Sequence, residues 1–153
     1  MHRFVLFRDR PRPVQIIIGG VIPAALGALA GVMVGASAAG YWIVGAIAGV
    51  GGFLAGFEHR DGWGGADRGM VGGAIYGTSL VLVHWAIGNS AKVSLGNSRV
   101  VFVIFLAIIG IVLGAAGGRI ARWQREKAGI FITDEYLPGG EKYIERHGTE
   151  SAG

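Results

Sequence analysis

A short charged segment, residues 58–68, carries the side chains of this sequence that are best suited to chemistry. The carboxylates of Glu58 and Asp61 flank His59, and such groups bind metal ions or exchange protons with a substrate. The spacing matches no metal-binding motif, however, and arginines alternate with the carboxylates as ready ion-pair partners. We therefore interpret the segment as a charged turn in which Asp67 caps the next helix, and we predict no catalytic, cofactor-binding or metal-binding residues.

Four polar side chains lie inside an apolar stretch and form a candidate polar pathway: Tyr76, Thr78, Ser79 and His84. An ionisable group within a membrane segment indicates a proton relay or an ion path. Trp85 follows His84 directly, which favours an interfacial position and a structural hydrogen bond for the histidine. The hydroxyl groups can equally hydrogen-bond between helices, so transport and packing both stay open.

The composition is typical of a membrane protein. Hydrophobic residues make up 52% of the 153 residues, and 29 are glycine, far above the ~7% of soluble domains. The chain contains no cysteine, which excludes disulfides and thiolate chemistry. It shows no basic face interleaved with aromatic residues, so nucleic acid is not a predicted partner.

Four apolar stretches are each long enough to cross a hydrocarbon core, which takes ~17–25 residues. They span about 14–36, 41–57, 69–88 and 100–118. Pro23 interrupts the first stretch and, because proline has no N–H, frees the carbonyl near Gly19. A cleaved signal peptide is the alternative interpretation of this stretch, although its apolar part exceeds the ~7–15 residues of a signal.

The chain divides into three parts on this basis. A basic N-terminal arm (1–13) precedes a four-helix transmembrane domain (14–118), and a polar C-terminal tail (119–153) begins as a helical extension. Within the tail, residues 141–146 are expected to form a short helix. The predicted fold is an all-α bundle of four transmembrane helices in two antiparallel hairpins, packed through glycine (GxxxG) stripes.

Glycines spaced by four residues occur in all four apolar stretches. Such glycines form one bare face of a helix and let a neighbouring backbone approach closely, which drives helix association in lipid. The predicted helix-packing residues are Gly27, Gly31, Gly35, Gly45, Gly49, Gly52, Gly56, Gly65, Gly69, Gly73, Gly77, Gly110, Gly114 and Gly118. We expect Gly73→Leu to disrupt the bundle far more than Leu106→Ala.

Positive charge is distributed unevenly between the two sides of the predicted bundle. The loop between the third and fourth stretches has only Lys92 and Arg99, whereas the arm, the 58–68 segment and the last helix's flank are rich in arginine. This bias places both termini in the cytoplasm. The predicted contacts with anionic lipid headgroups are Arg3, Arg8, Arg10, Arg12, Arg119, Arg122, Arg125 and Lys127.

The sequence favours a non-enzymatic multi-pass membrane protein without a cofactor. The leading hypothesis is a structural or assembly role, as a small subunit of a larger membrane complex or as an envelope or virion membrane component. Its expected partners are the bilayer and other membrane subunits or further copies of the chain. The alternative is a small oligomeric channel or transporter for an ion or small solute, supported by the candidate polar pathway and the Pro23 break.

Overall fold

The computed structural model describes residues 10–127 in full, and beyond them the backbone of residues 130–136 and 142–146. A short helix α1 (Arg12–Ile16) passes through a π-helical turn (Ile17–Val21) into α2 (Ile22–Ala36). Three long helices follow, α3 (Ala38–Phe57), α4 (Gly62–Ile87) and α5 (Arg99–Lys127). Arg3 and Arg8, predicted headgroup contacts, lie outside the described residues.

Four helical stretches are long and apolar enough to cross a membrane, by length and composition. They are the continuous segment Arg12–Ala36, with 25 residues, and α3, α4 and α5, with 20, 26 and 29 residues. The prediction of a membrane region built from four such helices is confirmed on that basis. Antiparallel strands β1 (Ile130–Tyr136) and β2 (Lys142–Arg146) follow α5, so the short helix expected at 141–146 is wrong.

Helix α4 begins seven residues earlier than the sequence pattern indicates. Its N-cap is Asp61, whose Oδ1 accepts a hydrogen bond from the Gly64 N–H at 2.9 Å. The prediction that Asp67 is the cap is therefore wrong, because Asp67 lies inside the helix. The glycines and charges of residues 62–68 suggested a loop, but Asp61 starts the helix where its carboxylate meets a free N–H.

Helices α4 and α5 make the most extensive contact of the bundle, while α2 lies along α4 and α3 lies along α5. The backbones touch where α4 crosses α5. A methyl carbon built on Gly69 would overlap the carbonyl oxygen of Gly110, and one built on Gly65 would overlap that of Gly114. On α2, a methyl on Gly27 would overlap the carbonyl oxygen of Tyr76.

We call the end of the bundle that holds residues 10–16, 57–62 and 119–127 the charged end, and the end that holds residues 36–38 and 88–98 the opposite end. Towards the opposite end, α2, α3 and α4 enclose a core of buried side chains: Ala30, Val34, Tyr41, Val44, Tyr76 and Leu80. Lys92 satisfies two carbonyls at the C-terminal end of α2. Its Nζ donates to the Ala36 carbonyl at 2.8 Å, and its backbone N–H donates to the Val34 carbonyl at 2.8 Å.

Candidate functional site

Arg68 extends from α4 to the π-helical turn that precedes α2. Its Nη1 donates to the carbonyl of Gly19 at 3.0 Å, and its Nη2 donates to the carbonyl of Ile18 at 2.6 Å. The two hydrogen bonds join residues about fifty positions apart in the chain. Arg68 therefore fastens the first membrane segment to the third.

The sequence explains why these two carbonyls need a donor from another helix. The α-helical donor for Gly19 would be residue 23, but Pro23 has no N–H. The donor for Ile18 would be the N–H of Ile22, which in the π-helical turn bonds to Ile17 instead. An unsatisfied backbone carbonyl is costly in an apolar surrounding, and the guanidinium of Arg68 satisfies both. The predicted release of a carbonyl near Gly19 is confirmed, and Arg68 is the partner that the pattern did not reveal.

Arg125 also donates hydrogen bonds to backbone carbonyls of another segment, and it joins α5 to the loop that connects α3 to α4. Its side chain is buried, with 6% exposed, and its Nη2 donates to the carbonyls of His59 at 2.5 Å and Arg60 at 3.1 Å. We predicted a lipid headgroup contact for this residue, whereas the structure places its guanidinium beneath the loop. Arg125 thus determines how the loop sits over the end of α5.

An ion pair also joins two segments at the charged end. Nη2 of Arg10 lies 2.6 Å from Oε1 of Glu58, and both side chains are partly buried, with 32% and 26% exposed. The contact joins the segment before α1 to the residue that ends α3. Arg10 therefore has a protein partner as well as the predicted lipid surface.

The His59 side chain hydrogen-bonds to the last turn of α3. Its Nδ1 lies 3.1 Å from the Ala55 carbonyl, so this nitrogen carries the hydrogen. Burial lowers the pKa of His59, and the nearby Arg68 lowers it further, while the Ala55 hydrogen bond and the Glu58 and Asp61 carboxylates oppose that shift. Asp61 is engaged as the α4 cap. Among residues 10–127, no three His, Cys, Asp or Glu side chains are grouped as a metal ion would need.

The residues of the candidate polar pathway do not share one face. Tyr76 is 8% exposed and packs in the core, whereas Thr78 is exposed on the other side of α4. Ser79 and His84 are half-buried. Tyr41 of α3, also 8% exposed, is a polar core residue that the sequence analysis missed. Its neighbour Trp42 faces outward, with 66% exposed.

A surface groove with a volume of about 770 Å³ lies between the first turns of α4 and the last turns of α5. Arg119 and Arg122, two of the predicted headgroup contacts, line it, together with Trp63 and Trp123. Lys127 lies just beyond it, with its Nζ 3.7 Å from the centre of the Trp123 ring. Arg12, another predicted contact, is exposed at the start of α1.

The charged end thus holds hydrogen-bonded arginines, a capped helix and an amphipathic groove on the outside of the bundle. No protein-family model, curated protein or solved structure matches the chain.

Proposed function

We propose that this chain is a non-enzymatic integral membrane protein with a structural role, a small subunit that assembles with another membrane protein. One observation carries the proposal. Helix α3 exposes an apolar face formed by residues spaced four, three and four apart, each between 54% and 60% exposed: Ile43, Ile47, Val50 and Leu54. Beside this face is Gly51, where an added methyl would meet no atom within 4 Å.

Open glycines in a helix have a cost that a helix partner offsets. Each glycine destabilises a helix by ~1 kcal/mol relative to alanine. Gly69 offsets this cost through its contact with the Gly110 backbone, but Gly51 has no such contact within residues 10–127. Small residues on a membrane helix let another backbone approach, so the α3 face suits a transmembrane helix of a neighbouring subunit better than it suits lipid.

The polar residues support a structural role over an enzymatic one. Arg68, Arg125 and the pair of Arg10 with Glu58 each join two parts of the bundle. A solute path through a single bundle has less support, because Leu80 and Val34, both 0% exposed, fill the interior beside Tyr76. The channel hypothesis therefore applies to the space between copies. A change of liposome flux in Thr78→Val, at the exposed member of the candidate polar pathway, would support it.

The packing and the orientation are part of the same proposal. We infer that the α4–α5 contact at Gly65, Gly69, Gly110 and Gly114 holds the bundle in the bilayer, with α2 and α3 added through their own glycines. The arginine-rich charged end and both termini are assigned to the cytoplasmic side, where anionic headgroups meet exposed residues such as Arg12. Because the chain has no cysteine, membrane-impermeant labelling of Ser94→Cys from outside intact cells tests this orientation; labelling from the cytoplasmic side alone would reverse it.

The experiment for the assembly role is the mass and composition of the particle extracted from its own membrane in a mild detergent. We expect other subunits at a fixed ratio, and we expect Gly51→Leu to release them while the bundle itself stays folded. Gly20→Leu is the control, because an added methyl there also meets no atom within 4 Å and the residue lies in the π-helical turn before α2, not on α3. A partner-free monomer would refute the assembly role, and a pure homo-oligomer would move the proposal to self-association.

A further inference from the structure

The groove between α4 and α5 has an apolar part and a charged part, arranged along the helix axis. Ala66, Ile111 and Ala115 line the part nearer the middle of the bundle. Arg119, one helical turn beyond Ala115, begins the charged part. With a rise of ~1.5 Å per residue, Ile111 and Arg119 are ~12 Å apart along α5, so an occupant of the groove must be apolar at one end and polar at the other.

The charged part of the groove has no net charge but separates its charges in space. Two cations and two carboxylates line it: Arg119, Arg122, Asp61 and Glu126. Arg122 already pairs with Glu126, since its Nε lies 2.6 Å from the Glu126 Oε1. Arg119 is exposed and makes no ion pair with any residue in 10–127. A phosphate therefore has one available cation at the edge of the apolar part.

Two tryptophans mark the depth of the groove relative to a membrane. Trp63 is 82% exposed and Trp123 is 55% exposed, and both line the groove beside its charged part. Exposed tryptophans of membrane helices lie at the level of lipid headgroups. Beyond them, Ile104, Ile108 and Val112 expose apolar side chains to the hydrocarbon region. The polar part of the groove thus coincides with the headgroup layer.

We propose that this groove is a binding site for one phospholipid with a zwitterionic headgroup that carries a primary ammonium, of the phosphatidylethanolamine class. An acyl chain lies on Ala66, Ile111 and Ala115, and Arg119 binds the phosphate. The ammonium donates to the carboxylate of Glu126, further out along α5, and to that of Asp61, whose backbone lies level with Gly118. The site is distinct from the α3 face and does not depend on the assembly role.

The arrangement of charges selects this headgroup over the two common alternatives. A choline headgroup has no N–H to donate to the carboxylates, so its contact with Glu126 and Asp61 is weaker. An anionic headgroup brings further negative charge next to both carboxylates, which is unfavourable at short range. The volume of about 770 Å³ lies in the ~300–1,000 Å³ range of ligand sites.

Native mass spectrometry of the purified full-length protein tests the site. Phosphatidylethanolamine, phosphatidylcholine and phosphatidylglycerol with identical acyl chains are added one at a time, and retained lipid is counted. We expect one phosphatidylethanolamine to be retained about tenfold better than either competitor, the difference of one charge-assisted contact. Arg119→Gln lowers the retention of all three lipids, because it removes the contact with the phosphate that they share. Arg99→Gln, which replaces an exposed arginine at the other end of α5, leaves the retention unchanged.

Glu126→Gln gives a result that a merely structural role of this residue would not produce. The substitution frees Arg122 from its ion pair and removes one carboxylate, so the site becomes cationic and its preference shifts to phosphatidylglycerol. Equal retention of all three lipids by the unchanged protein would overturn the proposal in favour of non-specific annular lipid. Equal losses in the Arg119→Gln and Arg99→Gln variants, or an unchanged preference in Glu126→Gln, would also overturn it.

Discussion

The two ends of the bundle are held together by different contacts. Near the charged end, α4 and α5 touch through backbone atoms at Gly65 and Gly114, and arginines from both helices bind carbonyl groups of other segments. Towards the opposite end, the interior is filled by side chains, with Val34 and Leu80 at 0% exposed. Close backbones occur at both ends, since a methyl on Gly31 of α2 would overlap the carbonyl oxygen of Leu80. The charged end adds polar bonds to them, and the opposite end adds fitted apolar side chains.

The difference follows from the regularity of the backbone at each end. The helices that enclose the core near the opposite end contain no π-helical turn, and Lys92 supplies donors only where α2 ends, to the carbonyls of Val34 and Ala36. The charged end contains the π-helical turn with Pro23 behind it, and the α3–α4 loop. These irregular segments leave carbonyls that need donors, and Arg68 and Arg125 supply them. Long polar side chains are therefore used where the helices are broken.

A single methyl group gives the sharpest test of the glycine contacts and has the largest expected effect. In Gly69→Ala the added carbon would overlap the Gly110 carbonyl oxygen and lie 2.6 Å from its carbonyl carbon. The two helices must separate, so we expect destabilisation on the order of 4 kcal/mol or loss of the folded bundle. Thermal unfolding in detergent, followed by circular dichroism, measures it.

Gly51→Ala is the matched control, with an effect of opposite sign. Its added methyl has open space, and alanine is a better helix former by ~1 kcal/mol. We expect the isolated bundle to be as stable as the parent or slightly more stable. If both alanine variants behave alike, the α4–α5 backbone contact does not hold the bundle.

Loss of the two hydrogen bonds that Arg68 donates is expected to have the next largest effect. Arg68→Met keeps the apolar stem of the side chain but removes both donors to Ile18 and Gly19. An unsatisfied buried group costs ~1–3 kcal/mol, so the variant should lose about 2–4 kcal/mol in unfolding free energy by the same measure. Leu106→Ala is measured for comparison. Its side chain packs against the core, so this variant loses side-chain packing, whereas Arg68→Met loses two hydrogen bonds.

A double-mutant cycle with Pro23 tests whether Arg68 replaces the N–H that Pro23 lacks. Pro23→Ala restores an N–H four residues after Gly19, so this carbonyl no longer depends on Arg68. The loss caused by Arg68→Met should therefore be smaller in the Pro23→Ala background, with a coupling of ~1 kcal/mol. Strictly additive losses would mean that Arg68 acts through something other than the missing N–H.

The number of membrane segments and one consequence of Pro23 could be predicted from sequence, because both depend on local patterns. Apolar length determines the segments, and the missing N–H of proline determines that Gly19 loses its donor. The donor itself could not be predicted, because Arg68 is 49 residues away from Gly19 and only the packing of α4 against α2 brings them together. The same limit hid the burial of Arg125, whose arginine-rich surroundings resemble a lipid-facing flank.

Individual glycines illustrate what spacing alone does not specify. Gly69 and Gly52 both belong to pairs spaced by four residues, yet only Gly69 touches another backbone within the described residues. Gly117, which falls outside the four-residue spacing, would overlap the Phe53 carbonyl oxygen if it carried a methyl group. Spacing identifies a bare helix face, but the direction of the crossing decides which glycines on that face are used.

The smallest expected effect concerns pH and belongs to the charged end alone. Burial holds the pKa of His59 below its ordinary value, whereas in the unfolded chain it is about 6.5. The unfolded state then binds a proton more readily, so stability is unaffected well above pH ~6.5 and falls as the pH decreases below it. Because the ring is only half-buried, the slope should stay below the ~1.4 kcal/mol per pH unit of one full proton.

His59→Gln should flatten this slope without a large change in stability at pH 8. Glutamine can still donate from its amide to the Ala55 carbonyl, which His59 Nδ1 contacts at 3.1 Å. The same substitution at His84, in the last turn of α4 at the opposite end, controls for the loss of a histidine as such. The measurement is the unfolding midpoint in detergent between pH 8 and pH 5. If His59→Gln keeps the parent's slope, the acid sensitivity does not arise from His59, and this histidine contributes nothing to the contrast between the two ends.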